Sequence, residues 1–429
     1  MVYVLGAYGL IGSACVKALI NARFDVVGVG RSKTKGYQSN QAIDWCEIDI
    51  ATATVDDWQA LLSDADIIVN AAGALQNGTR DNLNAIHEIA IARIFDAIGT
   101  SGKTFIQISA AGADANASTD FMRSKARGDQ IVMESELNWY VFRPTLVISR
   151  DAYGGTALLR AAAAFPWVNL RILPKSKVQI VAIEDVARAV TRASMGLIKS
   201  NFVADITADE KYDFDTLKTE IRKWLGLPKW KYSIEIPGFL LKTIGMFADI
   251  LGWLGWRSPF RSNALTALHD GIAGNSTNWI SHGGTPCRSL EQTLSAMPAT
   301  IQERWFARLY LLRPLGIATL ALFWIASGAI GLYSHHDAEN ILVSRGLNLM
   351  ISQIFVIGGA IADIALGVLA LVRKTCKNAC LGMIGLSLVY LIGSLITAPD
   401  LWLDPMGPMI KVFPGIALSM LTIATLSDR

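Results

Sequence analysis

The chain has 429 residues, 52% apolar and only 17% charged, with a formal net charge of +3. That length exceeds one ordinary domain, and the charge is scarce against the roughly 25% usual in globular proteins. So small a net charge, with no basic stripe interleaved with aromatics, excludes nucleic acid as an expected partner.

The shortage of charge is uneven. Up to about Arg313 the chain reads as a soluble α/β protein, and beyond it charges nearly vanish over long runs. Met1 leads directly into Val2-Tyr3-Val4-Leu5 without a basic leader, so no signal peptide is expected and the soluble part should stay cytoplasmic.

In chain order, short β-branched or aromatic runs predict strands at Val2–Leu5, Val26–Val29, Cys46–Ile48, Ile67–Asn70, Phe105–Ile108 and Tyr140–Arg143. Helical patterns between them cover Ile11–Ala22, Asn82–Ile98 and Arg123–Ser135. This alternation predicts a doubly wound parallel sheet of α/β Rossmann type, buried on both faces. From Asp151 to Arg304 the pattern loosens. A strand at Val178–Val181, a helix at Ile183–Ile198, a strand at Phe202–Ile206 and a helix at Phe214–Leu225 suggest a small substrate-covering lobe.

Ile236–Trp256 is apolar, but Lys242 and Asp249 fall on one helical face, and Trp253 and Trp256 sit at one end. A helix lying in the membrane interface and a helix packed in the soluble lobe both fit that pattern. Four membrane spans are then expected. Pro314–Ser334 carries no charge over 21 positions, Gly346–Val372 is interrupted only by Asp363, Asn378–Pro399 is charge-free, and Pro405–Ser427 is broken once by Lys411.

The chain thus divides into a dinucleotide-binding domain with its lobe (1–230), a linker or interfacial helical region (231–304) and an all-α, four-helix transmembrane bundle (305–429). Basic residues Arg304, Arg308, Arg313, Arg373, Lys374 and Lys377 gather at one end of the spans, which places both termini in the cytoplasm. The opposite loops carry His335, His336, Asp337, Glu339, Asp400 and Asp404. The five cysteines, including Cys376 and Cys380 one turn apart, complete no metal set, and none is expected.

The strongest motif is Gly6-Ala7-Tyr8-Gly9-Leu10-Ile11-Gly12, a GxxGxxG after the first strand and opening the first helix. Its glycines allow a tight turn and close backbone approach to a pyrophosphate, which the helix N-terminus attracts. Tyr8, Leu10 and Ile11 belong to the same candidate cofactor set. The second strand runs out through Val29-Gly30-Arg31-Ser32, where a basic residue receives a 2′-phosphate and an acidic one a 2′-hydroxyl, so Arg31, with Ser32 and Lys33 beside it, favours NADP(H) over NAD(H). Asp49 is placed for the adenine edge, and Asn70-Ala71-Ala72-Gly73 for the adenosine ribose.

Together with Ser109, Arg143-Pro144 and Ile183-Glu184-Asp185-Val186-Ala187, these motifs occur in the order seen in extended and atypical short-chain dehydrogenase/reductases. Over roughly Met1 to Trp230 the chain resembles the branch of the 39-kDa-like accessory subunit of respiratory complex I and the nucleotide-sugar epimerase-like proteins. The resemblance implies that Arg143 and Pro144 end the sixth strand near the nicotinamide. Catalytic relatives use Tyr-x-x-x-Lys beside a Ser, the lysine lowering the pKa of the tyrosine that passes the proton. The matching segment here is Phe121-Met122-Arg123-Ser124-Lys125: the lysine is present and the tyrosine is not. Either Lys125 and Ser109 only anchor cofactor, or another group such as Tyr153, Ser109 or Asp120 supplies the proton.

From Arg313 to Arg429 the pattern Arg313-Pro314-Leu315, Phe323-Trp324, Ser327-Gly328 and Trp402-Leu403-Asp404-Pro405 resembles the DoxX-like membrane family, which implies an inner-membrane location in bacteria. The expected function is an NADP(H)-binding oxidoreductase working at the cytoplasmic face of the lipid bilayer on an apolar small molecule such as a quinone, sterol or lipid carrier. The alternative is a non-catalytic cofactor-loaded scaffold, redox sensor or assembly factor that partners a membrane enzyme. A nucleotide-sugar epimerase or dehydratase is weaker, because it too relies on the missing tyrosine. Asp363 is either part of a quinone, lipid or proton site or a structural carboxyl bonded to a neighbouring helix.

Overall fold

The computed structural model describes residues 1–78, 81–172, 176–256 and 261–426. Two compact units emerge, one from Met1–Asp249 with Ser258–Ala307 and the other from Ile250–Arg257 with Arg308–Arg429.

The first unit is built on a seven-stranded sheet. Its strands are β1 (Val2–Leu5), β2 (Val26–Gly30), β3 (Asp44–Glu47), β4 (Ile67–Asn70), β5 (Thr104–Ile108), β6 (Asn138–Pro144) and an edge strand, Phe202–Ile206. All pair in parallel, in the order β3-β2-β1-β4-β5-β6-edge. Helices α1 (Leu10–Asn21), α2 (Lys33–Ser39), α3 (Val55–Leu61), α4 (Ala90–Ile98) and α5 (Asp120–Met133) make the crossovers. The chain order reverses between β1 and β4, where Leu5 stands beside Asn70, opening a crevice at the carboxyl ends of the strands. Val4, Val69 and Phe142 feed the core on one face of the sheet, and Leu5, Ile68 and Val141 the core on the other, as strand alternation dictates.

Three sequence expectations shift. The third strand lies at Asp44–Glu47, ahead of the expected Cys46–Ile48, because Trp45 is the anchoring residue: its ring fills the space that a Cβ on Gly28 or Gly36 would need. The helix expected over Asn82–Ile98 begins with a π-helical turn, Ala85–Ile89, before α4. The expected strand Val178–Val181 is divided at Gln179, whose buried amide donates to Ala208 O at 2.8 Å. Lys177–Val178 pairs with Tyr212–Asp213, and Ile180–Ala182 pairs with Leu146–Ile148.

A separate core, with Leu159, Ala163, Leu217 and Ile221, packs the lobe helices Gly155–Ala164 and Phe214–Trp224 together. Among the described residues the stretch 231–304 holds the helices Gly238–Trp253, Ser262–Asp270, Thr277–Ser281 and Leu290–Ala296. Along Gly238–Trp253 the side chains of Phe239, Met246, Phe247, Ile250 and Trp253 are all exposed.

The second unit holds three helices long and apolar enough to cross a membrane, by length and composition, among the described residues: Leu312–Tyr333, Leu349–Leu371 and Cys376–Thr397. Within the fourth expected span, Pro405–Ser427, the described helix is Val412–Leu426, a shorter apolar helix of 15 residues or about 22 Å of rise. Pro405, Pro408 and a left-handed Gly407 (φ 57°) hold the preceding residues out of the helix, and Ser427 lies outside the described residues. The first two long helices approach closely through glycine. A Cβ on Gly328 would come 2.3 Å from Ala360 O, and one on Gly367 3.0 Å from Ala321 O.

Candidate functional site

The glycine turn forms the floor of the crevice. Gly6 takes φ +71°, and a Cβ there would lie 2.8 Å from Ala72 Cα, so the turn packs directly on the end of β4. A Cβ on Gly12 would come 2.2 Å from Gly6 O, so α1 can sit down on the turn only through bare backbone. Gly9 caps α1 with extended backbone and no side-chain bond, leaving the first-turn amides of Leu10, Ile11 and Gly12 without a side-chain cap. This is the cradle a diphosphate requires, and the residues present fit a dinucleotide.

Around it, Tyr8 covers Gly30, whose Cβ would collide with the ring, and its phenol oxygen accepts the Arg31 amide at 3.0 Å. The Arg31 guanidinium pairs with Asp81 at 3.0 Å. Burial alone would lower its pKa, but Asp81, with Asp49 beyond it, outweighs this and holds it above the ordinary value. Ser32 accepts from Lys35 N as the cap of α2, and Asp49 Oδ1 accepts from Ala51 N in a tight turn. Asn70 braces the end of β4, donating to Gln107 Oε1 at 2.8 Å and accepting from Ala72 N at 3.2 Å. Ala71 N is tied to Leu5 O.

At the other side of the crevice α5 contributes a buried polar row. Lys125 is buried, and its ammonium donates to Ile108 O at 2.9 Å. Burial pulls its pKa down to about 8, against the opposing pull of Asp129. Asp129, one turn on, accepts two hydrogen bonds on Oδ2, from Ser109 Oγ at 2.7 Å and Arg143 Nε at 3.0 Å, and the same oxygen is ion-paired with Arg143 Nη2 at 2.8 Å. Its other oxygen finds no hydrogen-bond partner among the described residues, and burial raises its pKa despite Arg143. Ser109 N and Ala111 N donate to Phe142 O and Pro144 O, which fixes the end of β6 beside the end of β5.

His87 was missed in the sequence. It sits in the π-helical turn, buried, with Nε2 accepting from Ala74 N at 3.2 Å and Nδ1 2.8 Å from Ser124 Oγ. The backbone amide can only donate, so the proton is on Nδ1 and points at Ser124, whose hydroxyl donates on to Phe121 O at 2.9 Å. Burial, with Lys125 adding like charge, pushes the His87 pKa down to about 2, so the ring is neutral. A Cβ on Gly73 would come 3.2 Å from His87 Nε2 and 3.4 Å from Lys125 Nζ. Gly73, His87 and Lys125 therefore form one small knot. Phe121 lies four residues before Lys125 and meets the His87 ring edge-on at 5.7 Å.

The three candidate proton donors are not brought together. Ser109 is committed to Asp129, while Asp120 pairs with Arg123 at the exposed start of α5. Tyr153 stands on a loop before Gly155–Ala164, 41% exposed, and Gly154 beside it approaches Leu75 in the segment after β4. Asp129 was also missed in the sequence; its signal was its place four residues after Lys125, on the same helical face. His87 had the weaker signal of a lone polar residue on the apolar stripe with Ile91 and Ile94. In the second unit, Asp363 is buried between two hydroxyls, accepting from Ser327 at 2.8 Å and Tyr390 at 2.9 Å.

Residues 6–192 match the family model of NAD(P)H-binding domains, and residues 321–420 that of the DoxX-like family. Among solved structures, UDP-glucose 4-epimerase of Thermotoga maritima with UDP-glucose is 17% identical, with a TM-score of 0.52, over 72% of this chain and 99% of that one. WbmH of Bordetella bronchiseptica in complex with NAD+ gives 17% and 0.51 over 70% and 96%. Pal from Bacillus thuringiensis gives 13% and 0.52 over 72% and 99%. No curated protein sequence is significantly similar. The chain joins an NAD(P)-binding Rossmann domain, with the fold of epimerases and short-chain reductases, to a DoxX-like helical domain.

Proposed function

We propose that the protein is a membrane-anchored, NADP(H)-dependent oxidoreductase that reduces an apolar carbonyl compound or quinone at the cytoplasmic face of the cell membrane. The observation that carries this reading is Lys125: a buried ammonium with its pKa near 8, next to Gly73, in the helix position where relatives keep their catalytic lysine. A reduced nicotinamide, when bound, supplies hydride to the substrate carbon. Lys125 then passes its proton to the substrate oxygen, the task Phe121 cannot perform, and recovers one from solvent. Arg31, which follows β2 at the position where an acidic residue would bind the 2′-hydroxyl of NAD, supports NADP over NAD, with Asp81 as the group a 2′-phosphate displaces. The exposed apolar side of Gly238–Trp253 supports contact with the bilayer, where such a substrate concentrates. The basic residues Arg308, Arg313, Arg373 and Lys374 support the cytoplasmic orientation.

A second reading, a cofactor-loaded scaffold or redox sensor for a membrane enzyme, is favoured by two observations: Phe121 has no proton to give, and Ser109 spends its hydrogen bond on Asp129. Full-length protein in detergent, given NADPH and a panel of short-chain quinones and lipid carbonyls, separates them. Oxidation of NADPH that Lys125→Met abolishes supports the enzyme. Binding without oxidation of NADPH by any member supports the scaffold. Failure to bind either dinucleotide removes both, and Gly12→Ala is expected to cause that failure.

A further inference from the structure

We propose that His335, His336 and Glu339 form a site for a divalent transition-metal ion of the zinc type, with three protein ligands and a position open to solvent. The cluster lies at the start of the helix His335–Val343, directly after the first long apolar helix and outside the apolar segments. It departs from the sequence expectation that no metal set is present.

Their ligand atoms all lie within 4.8 Å of one another. Zinc holds nitrogen and oxygen at about 2.0–2.2 Å in tetrahedral sites, which brings ligand atoms to about 3.4 Å apart. A side-chain rotation closes that gap, and His336 is free to make it, its side chain being 81% exposed. Spacing of three residues puts His336 and Glu339 on one side of the helix, with Nδ1 and Oε2 3.8 Å apart.

Two further observations point to a ligand. Glu339 is 3% exposed, and its Oε1 is buried without a hydrogen-bond partner among the described residues. A buried carboxylate oxygen in that state is costly, and a cation removes the cost. His335 Nδ1 is 2.9 Å from Leu332 O; since a carbonyl only accepts, Nδ1 carries the proton and Nε2 holds the lone pair. That is the arrangement by which a backbone carbonyl orients a metal-bound imidazole. Two imidazoles and one carboxylate select zinc, iron(II), cobalt or nickel over magnesium or calcium, which prefer all-oxygen sets.

The test is titration of the full-length, tag-free protein in detergent with zinc chloride, and with cobalt chloride read by visible absorption. One equivalent of zinc bound in the micromolar range or tighter, and a cobalt spectrum of low coordination number, are expected. His336→Ala should weaken binding at least tenfold without affecting folding, because that side chain is in solvent. Glu339→Gln should weaken it similarly, and if it does not fold, His336→Ala decides alone. No zinc bound at micromolar concentrations, or His336→Ala binding as tightly as the parent, overturns the proposal.

Discussion

One oxygen of the wholly buried Asp129 receives both Nε and Nη2 of Arg143, at 3.0 and 2.8 Å, while Ser109 donates to it from β5. This ion pair clamps α5 to the end of β6 and keeps Lys125, one turn away, in register with the crevice. Breaking a buried pair from one side costs about 3–5 kcal/mol, because the remaining charge is left in low dielectric. Arg143→Met is therefore expected to lose about that much stability in denaturant unfolding. Without Arg143 the buried carboxyl holds its proton more tightly, so the loss should deepen as pH rises above the ordinary carboxylate value. Arg143→Met combined with Asp129→Asn should recover much of it. A single variant as stable as the parent at pH 8 would show that the pair carries no such burden.

Lys125 ties the proposed chemistry to pH. Its pKa is depressed to about 8 by burial, so the ammonium that donates is present below that value and disappears above it. Carbonyl or quinone reduction should fall as pH rises through about 8, and Lys125→Met should lower turnover by about 100-fold or more. Stability moves the opposite way. Between pH 8 and the ordinary lysine value the unfolded chain binds the proton and the native chain does not, so native stability rises with pH there. A turnover rate flat from pH 7 to pH 9 would remove Lys125 as the acid.

His87 makes the protein acid-sensitive. Its folded pKa, near 2, lies below the unfolded value of 6.5, so between those limits the unfolded state binds the extra proton. Stability is fully present above pH 6.5 and drains as pH falls, by up to about one proton in the slope of unfolding free energy. His87→Gln, which keeps hydrogen-bonding capacity without titrating there, should flatten that slope between pH 4 and pH 6. An unchanged slope in the variant would mean that other groups carry the acid sensitivity.

The sheet was legible because its strands are short and bounded by glycine, aspartate or asparagine, and the glycine turn because its spacing sits at a strand-to-helix junction. Partners were not legible. That Ser109 faces Asp129 depends on β5 lying beside β6, and that His87 reaches Ala74 depends on a π-helical turn no periodicity announces. Arg31 directly follows β2, but its pairing with Asp81 spans 50 positions of sequence. The start of the fourth apolar helix was not legible for a different reason: hydropathy counts Pro405 and Pro408 as merely uncharged, whereas their missing amide hydrogens bar them from helix interiors, and the helix begins at Val412.

Asp363 supplies the last test, and its geometry sharpens the outcome. Ser327 and Tyr390, on the two neighbouring long helices, both donate to its carboxyl, so the side chain ties three helices together. Asparagine keeps one acceptor oxygen and offers a donor that a rotated hydroxyl can accept. Asp363→Asn should therefore cost about 1 kcal/mol or less in detergent unfolding, in line with polar contacts between membrane helices. Leucine leaves two hydroxyls facing apolar surface and should cost more, about 1–3 kcal/mol for each unsatisfied group. A tie of this kind predicts that turnover follows stability across both variants. If Asp363→Asn keeps its stability yet loses NADPH oxidation, the carboxyl takes part in proton or quinone chemistry, and the purely structural account of it fails.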